Sequence, residues 1–277
     1  MTHHNRNHNR HMLISSALND RVKGWAALMD KKNRDKSGLF LIEGVHLIKE
    51  AFQSGAGVRT VVYDDERGLP EELADIEESE RGMDAEWIRA SRAVMAKCSD
   101  TDSPPPVFAV LVKPNTDAEA LFRGKGLVVV LDGLRDPGNV GTIIRSADAV
   151  GADAVLLGKG SVDLFNPKVV RSTMGSLFHL PIVEGDLAEL LPLAGDRGIK
   201  RVGTSLQADH SCYGYDWKQP TWLLMGNESN GLSAAVRELM DESVIIPMRG
   251  RAESLNVAMA TTVLLFEAAR QREYNKS

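Results

Sequence analysis

Only two cysteines occur, Cys98 and Cys212, and they lie far apart in the chain. That argues against a disulfide framework and against a cysteine-based zinc site, and leaves two reduced, structural thiols. No apolar stretch approaches the roughly 20 residues that cross a bilayer. The N-terminus lacks the apolar core of a secretory signal, so the expectation is a cytoplasmic protein with no membrane partner. Aromatic residues make up 5% of the chain, and most sit in core-like contexts, so no base-stacking surface can be mapped. Four of the seven histidines (His3, His4, His8 and His11) fall in the first eleven residues. The others, His46, His179 and His210, show no nucleophile–base pattern, and no metal is expected. There is no Walker A loop and no G-x-G-x-x-G spacing. Gly158-Lys-Gly-Ser161 lacks the upstream glycine of a phosphate loop and reads as an ordinary turn.

What is present is a chain of 277 residues, 43% apolar, enough for one large domain or two ordinary ones. The net charge of −5 argues at first against a nucleic-acid partner. The charge is uneven, however. Residues 64–84 carry ten carboxylates against Arg67 and Arg81, a local −8, so the rest of the chain sums to +3. The acidic run is expected to be a solvated helix or loop, and the remainder is compatible with RNA.

Residues 1–11 are polar and low in complexity, and are expected to be a disordered tail. Residues 12–112 alternate helix and strand signals. A helix is expected from Asp20 to about Asp30, then a basic turn with Lys31, Lys32, Arg34 and Lys36. A strand at Leu39–Ile42, a helix at Val45–Ser54 and a strand at Val58–Tyr63 come next, then a helix at Ala90–Cys98 and a strand at Val107–Val112. This is a small α/β domain. Residues 113–116 read as a linker, and 117–277 as a second domain. There, strands at 126–131, 154–157, 180–183, 201–203, 221–225 and 244–247 alternate with helices at 140–150, 167–177, 187–194, 233–240 and 255–274. Continuous Val/Leu/Ile strands between helices point to a parallel sheet covered on both faces, whose ligands bind at the carboxyl ends of its strands.

Three segments sit at that edge. The first, Asp132 to Arg145, follows the strand ending at Leu131; Gly133, Gly138 and Gly141 permit tight turns, Asn139 is a candidate helix cap, and Arg145 lies one helical turn beyond Gly141. The second, Met225 to Gly231, places Glu228 at the mouth of a buried strand, where an unpaired carboxylate is costly and a cation such as Arg145 would satisfy it. The third, Ile246 to Asn256, supplies Arg249 and Arg251; Ser254 is a candidate cap for the final helix, with Asn256 in its first turn. A helix start offers free N–H groups and a positive dipole end. Singly, each segment is explained about as well by a structural turn or cap. Their order and spacing together are far more specific.

The second domain resembles the SpoU, or TrmH-type, class of the SPOUT superfamily of RNA methyltransferases. The match is carried by Asn139-Val-Gly-Thr-Ile-Ile-Arg145, Met225-Gly-Asn-Glu228, Ile246-Pro-Met248 and Ser254-Leu-Asn-Val257. More weakly, Gly38-Leu-Phe-Leu-Ile-Glu-Gly44 and the 107–112 strand resemble the small L30e-like RNA-binding domain that often precedes it. The resemblance implies a parallel α/β sheet with a C-terminal deep trefoil knot, a homodimer, and methyl transfer from S-adenosylmethionine to a ribose 2′-hydroxyl of rRNA or tRNA. The L30e-like unit leans the reading towards structured 23S rRNA. A tRNA 2′-O-methyltransferase and a SPOUT base methyltransferase are the alternatives, and a non-enzymatic RNA-binding scaffold is a third. The Ser-Leu-Asn motif favours ribose over base.

By the same resemblance, Arg145 matches the arginine proposed to activate the hydroxyl, and Glu228 the glutamate that orients it or the substrate. Asn139 falls on the substrate side, and Ser254 and Asn256 match the polar pair beside the reacting centre. Gly226, Ile246 and Leu255 match positions whose backbone contacts the cofactor, with Thr204 a further wall. Arginine is a poor base at its ordinary pKa, so Arg145 acting by positioning or by stabilising an alkoxide stands beside direct proton abstraction.

Overall fold

The computed structural model describes residues 11–124, 126–208 and 210–273. They form two compact units: residues 11–115 with 163–178, and residues 116–162 with 179–273. The second-domain boundaries expected from sequence therefore change in one place, because residues 163–178 pack with the first unit. No described helix is long and apolar enough to cross a membrane.

In chain order the first unit contains β1 (Met12–Ile14), α1 (Asp20–Ala27), α2 (Lys31–Ser37), β2 (Leu39–Glu43), α3 (Val45–Gln53) and β3 (Val58–Asp64). Then come α4 (Ala74–Glu77), α5 (Glu80–Met83), β4 (Glu86–Ala90), α6 (Arg92–Lys97) and β5 (Val107–Val112). Its five-stranded sheet has the order β1-β4-β3-β5-β2, antiparallel at the two β5 pairings and parallel elsewhere. The core gathers Val22, Trp25, Leu41, Val62, Ile88 and Phe108 on one side of that sheet.

Several expectations change here. The basic turn is the helix α2, closed by Gly38 in the left-handed conformation (φ 68°). Its Arg34 is 2% exposed; it donates to the carbonyls of Leu28 and Met29 at 2.6 and 2.8 Å and pairs with Asp163. Strands β1 and β4 carry too little alternation to stand out, and Ala90, expected to open a helix, ends β4. Lys113, expected in the linker, is tied to the first unit: its N–H donates to the carbonyl of Gly38 at 2.8 Å, and its Nζ pairs with Asp35 at 2.9 Å. The acidic run is not wholly solvated, since Asp64 and Glu77 are buried. Of the tail expected to be disordered, residues 1–11, the first ten lie outside the described residues, but His11 is held. Its Nδ1 lies 2.9 Å from the Tyr63 hydroxyl and its Nε2 3.0 Å from Glu77.

The second unit contains β6 (Leu127–Asp132), α7 (Pro137–Ala149) and β7 (Ala154–Gly158). The chain then contributes α8 (Pro167–Thr173) to the first unit. This helix, expected to run to Leu177, stops where Met174 (φ 51°) and Gly175 (φ 99°) turn left-handed. The second unit resumes with β8 (Ile182–Gly185), α9 (Leu187–Asp196), β9 (Lys200–Thr204), β10 (His210–Ser211), β11 (Thr221–Gly226), α10 (Ala234–Glu238), β12 (Glu242–Ile245) and α11 (Val257–Glu273). Tyr274, the expected end of the last helix, lies outside the described residues.

All seven strands of this sheet are parallel, in the order β10-β12-β9-β11-β6-β7-β8. The apolar strand runs explain this, because helices cover both faces: α9 and α10 pack with one core cluster, and α7 and α11 contact each other through a 2.7 Å hydrogen bond between the hydroxyls of Ser146 and Thr262. Cys98 and Cys212 are buried and unpaired, and burial pushes both thiols up, Cys98 to about 12.

Candidate active site

Because β12, β9, β11 and β6 are neighbours and parallel, their carboxyl ends share one edge. Gly226 at the end of β11 stands in register with Asp132 at the end of β6, and Thr204 of β9 with Val244 of β12. The three sequence segments therefore meet where an open parallel sheet binds its ligand.

The loop after β6 is shaped by capping. Asp136, and not Asn139, caps α7: its Oδ1 accepts from the N–H of Asn139 at 2.7 Å, and Pro137 takes the first helical position, where no N–H is needed. Asn139 thus lies in the first turn with its side chain free for other work. The loop after β11 closes on itself. Asn227 and Gly231 exchange backbone hydrogen bonds of 3.0 and 2.9 Å. A Cβ at Gly226 would stand 2.1 Å from the backbone of Gly231 and Leu232, so only glycine fits. The Nδ2 of Asn227 donates to the carbonyl of Gly133 at 2.7 Å, which fastens this loop to the loop after β6.

Glu228 sits over that junction. Its Oε1 accepts from the backbone N–H of Asp136 at 3.3 Å and from Nδ2 of Asn139 at 3.2 Å, and its Oε2 from Nδ2 of Asn227 at 3.3 Å. Desolvation opposes ionisation, but hydrogen bonds from the backbone N–H of Glu228 itself, from Asn139 and from the backbone N–H groups of Asp136 and Arg135 together outweigh it and hold the carboxyl below its usual value. Amide donors therefore satisfy Glu228, and the expected partner Arg145 does not. Arg145 projects from α7, exposed, with no hydrogen bond or ion pair to the described residues.

The third segment joins through Asn256. Its Nδ2 donates to Oδ1 of Asn139 at 3.0 Å, and its Oδ1 accepts from the N–H groups of Ala258 and Met259 at 2.9 and 3.3 Å. Asn256 is thus the cap of α11, the role expected of Ser254, which stands exposed two residues earlier. The structure gathers Asn139, Glu228 and Asn256 into one network and leaves Arg145 and Ser254 outside it. Sequence reasoning missed Asp136 and Asn227. The Asp-Pro pair was the available signal for the first, because it marks a helix N-cap followed by its first residue.

Along this edge Gly226 ends β11, Thr204 ends the neighbouring β9, and Ile246 follows β12 on the far side of β9. The loop after β9 exposes Leu206 (64%), and the approach to α11 exposes Leu255 (42%). Exposed leucines beside strand-end backbone groups suit a ligand with a flat apolar ring and polar edges, such as an adenosyl group.

Residues 126–266 match the model of the SpoU rRNA methylase family, and residues 19–109 match that of the MRM3-like substrate binding domain. The chain belongs to the SpoU rRNA methylase family. It is 38% identical to the 23S rRNA (guanosine(2553)-2′-O)-methyltransferase RlmP of Bacillus subtilis, over 91% of this chain and 97% of that protein. It is 39% identical to a 23S rRNA (uridine(2479)-2′-O)-methyltransferase of Streptomyces viridochromogenes, over 93% of this chain and 92% of that protein. The crystal structure of the SpoU methyltransferase AviRb from Streptomyces viridochromogenes, in complex with AdoMet, superposes with a TM-score of 0.84 at 39% identity, covering 92% of this chain and 98% of that one.

Proposed function

We propose that this SpoU-family protein methylates a ribose 2′-hydroxyl of ribosomal RNA, most specifically 23S rRNA, with S-adenosylmethionine as the methyl donor. The observation that carries the reading is the Asn139–Glu228–Asn256 network, which joins the three family segments at the carboxyl edge of the sheet. The Bacillus subtilis and Streptomyces viridochromogenes relatives are both named for 2′-O-methylation of 23S rRNA, which favours rRNA over tRNA and ribose over base. One of those names specifies guanosine and the other uridine, at nearly equal similarity, so the target base is not inherited from either.

The backbone at Gly226, Ile246 and Leu255 would hold the cofactor, with Thr204 beside it, and S-adenosylmethionine supplies an electrophilic methyl group that needs no metal. The chain's own task is to hold the hydroxyl in line and to manage one proton. Glu228, kept ionised by its amide donors, is suited to orient a donor or to receive a proton through water. Arg145, exposed and unpaired, is available to place a ribose or phosphate oxygen and to stabilise a forming alkoxide. Ser254 and Asn256 would line the junction of ribose and cofactor, with Asn139 holding Asn256 in place.

The first unit is read as an L30e-like domain that recruits the RNA, in keeping with its match to a substrate-binding family. The C-terminal chain is read as a deep trefoil knot, supported by β12 lying beside β9 while α11 returns to α7. Met259 and Phe266, exposed at 52% and 53% on α11, support a homodimer formed through this helix. An rRNA substrate makes the cytoplasm the place of action. The test is to map 2′-O-methyl sites in total RNA with and without the gene. One 23S rRNA site that disappears without the gene supports the reading, and an unchanged map overturns it.

A further inference from the structure

The second unit contains ten arginines, and their partners divide them sharply. Arg197 pairs with Glu119, Arg201 with Asp241, Arg270 with Glu267 and Arg123 with Asp117, at 3.1, 2.6, 2.8 and 3.9 Å. Arg272 donates to the carbonyls of Trp217 and Gln219 at 2.7 and 2.8 Å. Arg237 is exposed and also has no side-chain partner among the described residues, but it lies in the last turn of α10, where the helix dipole favours a cation. The other four, Arg135, Arg145, Arg249 and Arg251, are exposed, and their side chains make no hydrogen bond or ion pair with the described residues. All four belong to the loops, or to the helix that follows them, at the carboxyl edge carrying Glu228 and Asn256. In a chain with a net charge of −5, acidic partners are plentiful, so four unpaired arginines at one edge point to a partner outside the chain.

The acidic groups at that edge do not neutralise them. Asp132 accepts from the N–H of Ser233 at 2.6 Å, Asp136 caps α7, and Glu228 is engaged by its amide donors. Glu253 is the one acidic side chain between Pro247 and Asn256, against two arginines. The backbone there is also open. A Cβ built at Gly133, Gly231 or Gly250 meets no atom within 4 Å, so a ligand chain can approach each of these loops closely.

We infer that Arg135, Arg249 and Arg251 form a phosphate-binding rim around the reacting centre, holding the RNA phosphodiesters on either side of the target ribose. This rests on the ribose-methyltransferase reading and adds to it the residues that fix the strand. Arg135 stands on the loop after β6, and Arg249 and Arg251 on the loop after β12. The rim therefore grips the backbone from two sides of the edge, independently of base identity.

The test measures binding of an unmodified 23S rRNA transcript across a range of salt, with the full-length protein. It compares wild type, the double variant Arg249→Ala/Arg251→Ala, Arg135→Ala, and Arg249→Lys/Arg251→Lys. Each lost phosphate contact should reduce the slope of log affinity against log salt by roughly 0.7 to 0.9. The double alanine variant should lose about two contacts, its KM for RNA should rise tenfold or more, and its S-adenosylmethionine affinity should stay within twofold. The double lysine variant should keep most of the slope. Unchanged slope and KM in the alanine variants overturn the rim. A loss of affinity that tracks a change in oligomeric mass also overturns it, assigning these arginines to a contact between copies of the chain. Absence of methyl transfer by the wild type would instead overturn the ribose-methyltransferase reading, and the salt slopes would still be measured.

Discussion

Nδ2 of Asn139 donates to Oε1 of Glu228 at 3.2 Å, joining the first turn of α7 to the loop after β11, 89 positions further along the chain. The donation depends on an amide. Asn139→Asp would set a second carboxylate against Glu228, and one of the two would then hold its proton to higher pH. Turnover should fall tenfold or more at neutral pH, and the ratio to wild type should narrow as pH is lowered and the shared proton returns. A pH–rate profile of both proteins checks this; a constant ratio across pH would remove the carboxylate pair from the explanation.

At Gly226 the constraint is steric and lies in the backbone. Gly226→Ala must displace Gly231 and Leu232, because a Cβ there stands 2.1 Å from both. The expected results are a stability loss of about 2 kcal/mol or more and loss of S-adenosylmethionine binding by calorimetry. Gly250→Ala, with no atom within 4 Å, is the control and should retain wild-type melting and cofactor affinity.

Glu43 in the first unit gives a pH dependence of the opposite sign to a paired surface carboxylate. Burial raises its pKa more than Arg171 and Ser99 lower it, and its Oε1 has no hydrogen-bond partner. An acid raised on folding favours the native state when protonated. Its penalty is absent below the unfolded pKa, grows as pH rises through the folded value, and is then constant. Glu43→Gln removes the titration. Its stability relative to wild type should therefore rise as pH increases above the ordinary glutamate value and level off once the raised folded-state value is passed, as measured by urea unfolding. A flat difference would show that Glu43 does not titrate differently in the two states.

The Arg34–Asp163 pair is nearly solvent-free, at 3% and 9% side-chain exposure. Breaking it from one side leaves the buried guanidinium, still held by the carbonyls of Leu28 and Met29, without its counter-charge. Asp163→Ala should cost about 3–5 kcal/mol, whereas Arg34→Met/Asp163→Leu should recover much of that loss. Thermal melts of the three proteins test this, and equal loss in the single and double variants would argue that packing, rather than charge, sets the cost.

These cases show what was legible in the sequence. The parallel sheet was legible because Val128–Leu131 and Trp222–Met225 are unbroken apolar runs, and because Gly226 and Gly231 mark the strand-end turn. The meeting of the three segments was legible in their order. The hydrogen-bond partners were not, because capping competes locally. Asp136 and Asn139 are both good caps, as are Ser254 and Asn256, and only the folded backbone decides which side chain turns inward to the helix and which outward to its neighbour. Arg34 shows the same limit on a larger scale. Within a run of basic residues nothing marks the one whose partner lies 129 positions away. Asp163 lies in a stretch that sequence pattern assigns to the other domain.

The most direct measurement of the central claim is methyl transfer by the purified protein to an unmodified 23S rRNA transcript with labelled S-adenosylmethionine, followed by alkaline hydrolysis. One alkali-resistant linkage should carry the label. Arg145→Ala should lose turnover about a hundredfold, close to 2.7 kcal/mol of transition-state stabilisation, with cofactor affinity intact. Label released as a methylated base in an alkali-sensitive product, or near-wild-type turnover by Arg145→Ala, would contradict it.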